Sequence, residues 1–178
     1  MRETVPFVIF NTRVRDEGIG GDNPYRWQEM NTDDYFGSKK VLLFSLPGAF
    51  TPTCSTMQLP KFEELYDAFM DKGFDEVYCM SVNDSYVMNA WAKSQNLKNV
   101  KVIPDGCGDF TRQMGMLVEK RPECFGMRSW RYAVVVEDKK ITQWFVEPGQ
   151  SDNHPSDPYT VTNPEHILDN LEGEQILV

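Results

Sequence analysis

The stretch SLPGAFTPTCSTMQLP (45–60) sets one cysteine, Cys54, between Pro52 and Pro60 among hydroxyl residues, directly after an apolar run. Pro52 has a fixed φ and no N–H, which suits the first position of a helix, with Thr51 as its cap. Cys54 then falls in the first helical turn. Free N–H groups and the positive end of the helix dipole favour an anion there, and a cysteine so placed titrates below the ordinary thiol value. The chemistry on offer is that of a nucleophilic thiolate. The competing reading is a buried core cysteine, which is what most cysteines are. Residue types alone leave both open. Pro60 is expected to bend or interrupt the helix, leaving Cys54 on a short, separately oriented first turn.

The other cysteines are Cys79, Cys107 and Cys124. None forms a CxxC pair with another or follows a zinc-binding spacing, so neither a dithiol redox motif nor a metal site is expected. Cys79 lies in an apolar run and reads as core, Cys107 in a glycine-rich turn, and Cys124 just before an FG pair. The two histidines, His154 and His166, read as a loop residue and a first-turn helix residue, without catalytic roles.

These side chains need elements to hold them. VLLFSL (41–46), VYCMSV (77–82) and YAVVVE (132–137) are continuous apolar runs of the kind that form buried strands. KITQWFVE (140–147) follows the third after a short polar break, and the pair reads as a hairpin. From Leu59, apolar residues recur at Phe62, Leu65, Tyr66, Phe69 and Met70, the spacing of one buried helix face, with Gly73 as a stop. A second helix fits 84–95 with Val87, Met88, Trp91 and Ala92 inward. A last helix has Asn163 as cap, Pro164 at its first position, Ile167, Leu168 and Leu171 inward, and Gly173 at its end. Residues 15–40 predict a short edge hairpin and loop, in which GIGG is a turn rather than a phosphate loop. Residues 146–164 form a long polar loop of the sort that is mobile or functional. Alternating strands and helices, then a hairpin and a final helix, describe an α/β fold with a mixed sheet.

At 178 residues, with 40% apolar content, the chain has enough material for one domain over 1–178, the last few residues forming a tail. A net charge of −9 without a basic block gives no electrostatic support for nucleic-acid or anionic-membrane binding. The N-terminal residues contain no long apolar run, so neither a signal peptide nor a membrane span is expected, and the reducing cytoplasm is the default compartment.

PGAFTPTC resembles the active-site motif of the peroxiredoxins, Pro-x-x-x-Thr-x-x-Cys, and its extension through QLPKFEEL resembles the peroxiredoxin-5-like branch. SVNDSYVMNAW (81–91), IPDGCGDF (103–110), FGMRSWRYAVVVEDKKI (125–141) and VEP (146–148) follow in the family's order. The resemblance implies a thioredoxin-like fold, a mixed central sheet flanked by helices. It implies a thiol peroxidase that reduces hydrogen peroxide and alkyl hydroperoxides through a sulfenic acid at Cys54, without metal or organic cofactor. By the same resemblance Thr51 contacts sulfur and substrate through its hydroxyl, Pro47 shields the site, and Arg131 is the active-site cation. Arg128 is second choice, read first as a solvated surface arginine. Gln58 stands where the branch often has histidine, and either side chain can donate a hydrogen bond. The loop after VEP, where some relatives carry a resolving cysteine, has none here. That implies a one-cysteine mechanism recycled from outside by glutathione with glutaredoxin, or by thioredoxin; related bacterial proteins carry a fused glutaredoxin domain. A two-cysteine route through Cys79, Cys107 or Cys124 is the alternative, as is a redox sensor or binding protein on the same fold. A disulfide oxidoreductase would need a CxxC at the helix start. The family commonly forms homodimers near the active-site loop, where Phe50 and Trp91 are candidate contacts, each equally readable as core.

Overall fold

A computed structural model describes residues 1–172. Its frame is a five-stranded sheet in the order β5 (Lys101–Pro104), β4 (Glu76–Ser81), β3 (Lys40–Ser45), β8 (Tyr132–Glu137) and β9 (Lys140–Val146). The apolar runs occupy the middle: β3 lies parallel to β4 and antiparallel to β8. β5 adds to β4 in parallel, and β9 returns from β8 as the expected hairpin. Asp138 and Lys139 both take positive φ, 45° and 68°, the backbone of the two-residue turn whose twist matches the flanking strands. The fold is thus a mixed sheet with elements on both faces.

Side chains alternate across the pleat and divide the core in two. On one face Leu42, Phe44, Val77, Cys79, Ala133 and Val135 pack against four helices: α2 (Leu59–Glu64), α3 (Tyr66–Asp71), α4 (Ser85–Ser94) and α6 (Pro164–Asp169). On the other, Val41, Leu43, Tyr78, Tyr132 and Val134 meet α1 (Thr32–Phe36), α5 (Asp109–Gln113), and the ribbons β1 (Ile9–Arg15)–β2 (Tyr25–Asn31) and β6 (Leu117–Lys120)–β7 (Gly126–Ser129). The N-terminal hairpin forms, with GIGG as its turn, but as a separate two-stranded ribbon rather than on an edge of the central sheet. The β6–β7 ribbon is short and only half-buried, and its residues carry no clear period.

Three helix expectations are revised. The stretch from Leu59 breaks at Leu65 (φ −96°, ψ 12°) into α2 and α3, although Phe62 and Phe69 stay buried on one side. α6 ends at Asp169 with Asn170 as its cap, before Gly173, which lies outside the described residues together with the expected tail. Most important for the site, Pro60 does not interrupt the helix. The chain is helical from Pro52 onward, and Cys54–Gln58 form a π turn in which the Leu59 N–H donates to the Cys54 carbonyl. The donor in π register with the Ser55 carbonyl would be Pro60, which has no N–H. The Gln95 side chain, just beyond α4, donates to that carbonyl instead (3.1 Å), and Trp91 Nε1 donates to Ser55 Oγ (2.9 Å). Packing and two cross-helix hydrogen bonds thus hold the extra residue in place. Trp91 is accordingly fully buried and is not a surface contact.

Candidate active site

β3 ends at Ser45, and the chain turns through a buried Leu46-Pro47-Gly48-Ala49 segment before the helix. Two side chains from elsewhere hold that turn. Asn83 Oδ1 accepts from the Ala49 N–H (3.0 Å), and Arg128 Nη1 donates to the Pro47 carbonyl (3.2 Å). A Cβ on Gly48 would lie 2.5 Å from Arg128 Nη1, so only glycine lets the guanidinium approach this closely. Phe50 then adopts φ 62°, a strained value for an aromatic residue, and its side chain remains 56% exposed at the edge of the site. Thr51 follows as the residue before the helix; Ser55 N–H donates to its carbonyl.

Cys54 sits at the third helical position, in the first turn as expected, with no exposed surface. Arg131, in the short link between β7 and β8, reaches it across the sheet end, with Nη1 3.5 Å from Sγ. The same nitrogen donates to Gln58 Oε1, one helical turn after the cysteine. Nη2 donates to both carboxylate oxygens of Asp157, at 2.8 and 2.7 Å. The Tyr159 ring covers the guanidinium, its centroid 5.5 Å from Cζ. Nε has no partner among the described residues although it is buried. Burial works against the charge of Arg131, but the Cys54 sulfur and the Asp157 carboxylate outweigh it and hold the guanidinium more firmly protonated than usual. A buried sulfur thus faces a fixed cation with one N–H still to place.

The site residues expected from the sequence therefore fall together, with differences in detail. Thr51 Oγ1 donates to the Gly48 carbonyl (2.7 Å) and accepts from no helix N–H among the described residues, so it does not cap the helix and its lone pairs remain for another group. Gln58 is buried and accepts from Arg131 rather than serving as a donor toward the thiol; its Nε2 donates to the Thr162 carbonyl (3.4 Å). Arg128 is not a solvated surface arginine. It is half-buried, bonded to the Pro47 and Phe125 carbonyls and stacked on the Phe125 ring, and it forms a wall of the site without touching sulfur. His154 stays in the loop, against Trp130, and His166 in the first turn of α6.

Of the remaining thiols, Cys79 is fully buried in β4 and belongs to the same core cluster as Cys54. Burial, with the neighbouring Cys54 sulfur adding to it and Arg131 opposing it, pushes its thiol well above the ordinary value. Cys107 and Cys124 are exposed. Sequence reasoning did not single out Asp157, Tyr159 or Glu147. All three lie in or at the start of the long polar loop, where no periodicity marks a residue as facing inward. Three signals were present: loop length, the VEP block that contains Glu147, and acidic and aromatic residues close together in SDPYTVT (156–162). Among the described residues no helix is long and apolar enough to cross a membrane.

The chain resembles known proteins along most of its length. The Redoxin family profile matches residues 26–161. The chain is 62% identical over 171 residues to Peroxiredoxin y4vD of Sinorhizobium fredii, covering 96% of this chain and 91% of that protein. It is 43% identical to Hybrid peroxiredoxin hyPrx5 of Haemophilus influenzae, matching 92% of this chain and 63% of the hybrid. Among solved structures it is similar to the Plasmodium falciparum antioxidant protein, a 1-Cys peroxiredoxin, with a TM-score of 0.88 and 38% identity, covering 95% of this chain and 97% of that one.

Proposed function

The chain belongs to the peroxiredoxins and is a thiol peroxidase, and from that premise we propose that Cys54 is the peroxidatic residue of a one-cysteine cycle recycled by an external thiol. The observation that carries the assignment is the Arg131 guanidinium against Cys54 Sγ at 3.5 Å, both buried. In the first step the Cys54 thiolate attacks one peroxide oxygen. The S–O bond forms as the O–O bond breaks, sulfur is oxidised to sulfenic acid, and the departing oxygen takes a proton to leave as water or an alcohol. Negative charge moves from sulfur to the leaving oxygen, and a preset cation stabilises it throughout. The unpartnered Arg131 Nε–H is a donor available to a peroxide oxygen. The Thr51 hydroxyl, its proton committed to Gly48, is an acceptor for the peroxide proton. Pro47, buried within the turn between β3 and the helix, helps keep water out. Electrons come from thiols alone, so this reading invokes neither metal nor organic cofactor.

Recycling needs two thiol equivalents. The first condenses with the sulfenic acid to give a mixed disulfide and water, and the second displaces Cys54 as a thiol. Glutathione, with glutaredoxin, is the donor proposed, in a reducing cytoplasmic setting; thioredoxin is the substitute. Two observations favour an outside donor. The loop after β9 carries no cysteine, and Cys79, the thiol sharing the Cys54 core, is locked in a central strand. The relative described as a 1-Cys peroxiredoxin and the hybrid relative lend support by likeness. Mass spectrometry after one equivalent of hydrogen peroxide, then glutathione, tests the cycle. A glutathione adduct on Cys54 is expected; an intramolecular disulfide to Cys79, Cys107 or Cys124 would overturn it. A Cys54→Ser variant that still consumed peroxide at the wild-type rate would remove Cys54 from the reaction altogether. Homodimerisation is proposed across the face bearing the exposed Phe50 and Met57, and light scattering of a Phe50→Ser variant checks it: a monomer is expected, an unchanged dimer refutes that face.

A further inference from the structure

Glu147 lies just beyond β9, with 1% of its surface exposed. A carboxylate is costly to bury unless donors surround it. Here they do. Oε1 accepts from the Thr160 N–H (2.6 Å) and hydroxyl (2.8 Å), and Oε2 from the Val161 N–H (2.9 Å), the Thr162 N–H (3.1 Å) and the Thr162 hydroxyl (3.0 Å). One side chain thus organises three consecutive residues of a loop that has no regular structure of its own.

That loop is connected to Arg131 in two ways. Asp157, three residues upstream of Thr160, takes the bidentate pair from Nη2, and Tyr159 covers the guanidinium face. Downstream, the Thr162 carbonyl accepts from Gln58 Nε2, which turns Gln58 Oε1 toward Arg131 Nη1. The main chain of Glu147 completes the arrangement: its N–H donates to the Arg131 carbonyl (3.2 Å), and its carbonyl accepts from Trp130 Nε1 (2.8 Å). Glu147 is bonded to the backbone of Arg131 and, through the loop, to the groups that hold its side chain.

We propose that Glu147 is a positioning residue for Arg131: its buried carboxylate folds 157–162 into a strap that grips the guanidinium from the Asp157 and Gln58 sides and aims it at Cys54. This rests on the assignment of Arg131 made above. A guanidinium has several rotatable bonds between Cα and its charge, so holding it in one place requires partners on more than one edge. Without the strap, Asp157 no longer holds the outer edge, and Gln58 is free to rotate. Catalytic groups that drift by about 1 Å lose on the order of 100-fold in rate.

The test measures the second-order rate of Cys54 oxidation by hydrogen peroxide in stopped flow, beside thermal unfolding, in the full chain. Glu147→Gln keeps size and main-chain bonds but replaces an acceptor oxygen with a donor facing N–H groups. It is expected to slow oxidation by about 10- to 100-fold. Phe36→Leu, in the core on the opposite face of the sheet from Cys54, serves as a control that lowers the melting temperature while leaving the rate within about twofold of wild type. The discriminating readout is coupling. If Glu147 acts through Asp157 and Gln58, adding Glu147→Gln to an Asp157→Asn, Gln58→Leu background costs little more. Effects that multiply, or a Glu147→Gln rate equal to wild type, overturn the proposal. Should Glu147→Gln fail to fold, Thr162→Val and Thr162→Ser take its place: the first removes one donor at constant shape and is expected to slow oxidation, the second restores it. Equal rates for those two variants refute the strap. Arg131→Met separates the premises: if it leaves the oxidation rate unchanged, the assignment of Arg131 fails; if it slows oxidation and Glu147→Gln does not, only the strap fails.

Discussion

Arg131→Met removes the cation that, among the described residues, contacts Cys54, while retaining an unbranched side chain of similar reach. Nη1 stands 3.5 Å from Sγ in a buried setting. A unit pair at that separation is worth about 5 kcal/mol at an effective dielectric constant of about 20. Asp157 lies on the other terminal nitrogen, and its opposite charge cancels part of that attraction. Taking half as what survives leaves about 2–3 kcal/mol, or roughly 100-fold in rate, for the interaction that follows charge from sulfur to the leaving oxygen. The variant also leaves Asp157 and Gln58 Oε1 without their donor, so some loss of stability accompanies the loss of rate. Stopped-flow tryptophan fluorescence after mixing reduced protein with hydrogen peroxide gives the oxidation step alone, before any thiol enters. A loss near 100-fold is expected, with Arg131→Lys falling between the variant and wild type because it keeps charge but not the fork. A loss below about threefold in Arg131→Met would refute the electrostatic account, since the cation would then contribute less than about 1 kcal/mol.

Gln58→Leu leaves the Arg131 Nη1 facing an apolar side chain, and an oxidation rate lower by about tenfold is expected; a wild-type rate would show that the amide orients nothing. Trp91→Phe keeps the buried ring but deletes the bond to Ser55 Oγ that holds the π turn. A destabilisation of about 1–2 kcal/mol by urea unfolding is expected, with slower oxidation of Cys54; an unchanged rate would separate the π turn from the chemistry. Cys79 links stability to pH. Burial, ahead of the Cys54 charge, raises its folded-state value above the unfolded one, so the stability it contributes is complete below the ordinary thiol value and is lost as pH rises past it. Above about pH 8.5 the unfolded thiol ionises while the folded one does not, so the urea midpoint is expected to fall, and Cys79→Ala to flatten the fall in that range. A midpoint constant from about pH 8 to 10 would contradict the assignment.

Much of the frame was legible because it is local. Buried strands are written as apolar runs, helix faces as three-and-four spacing, and a helix start as Thr51-Pro52, each needing only neighbours in sequence. The break at Leu65 and the uninterrupted passage through Pro60 were not legible. The passage through Pro60 depends on how the helix meets its surroundings: Gln95 and Trp91 stabilise a π turn that the local sequence would not hold alone.

The same division runs through the site. The sequence by itself determined the element proposed to react: a lone cysteine at a helix N-terminus, in a motif specific enough to name its family, with an arginine ahead of a buried strand. Tertiary structure decided what surrounds the arginine. Asp157 and Glu147 lie 26 and 16 residues from Arg131 in the chain, and no periodic pattern marks them. Their roles exist only because the sheet brings Arg131 beside Cys54 and the long loop folds back over it. A charge pair across such a loop has no signature in sequence, since its energy depends on burial and distance, and both are fixed only when the core closes.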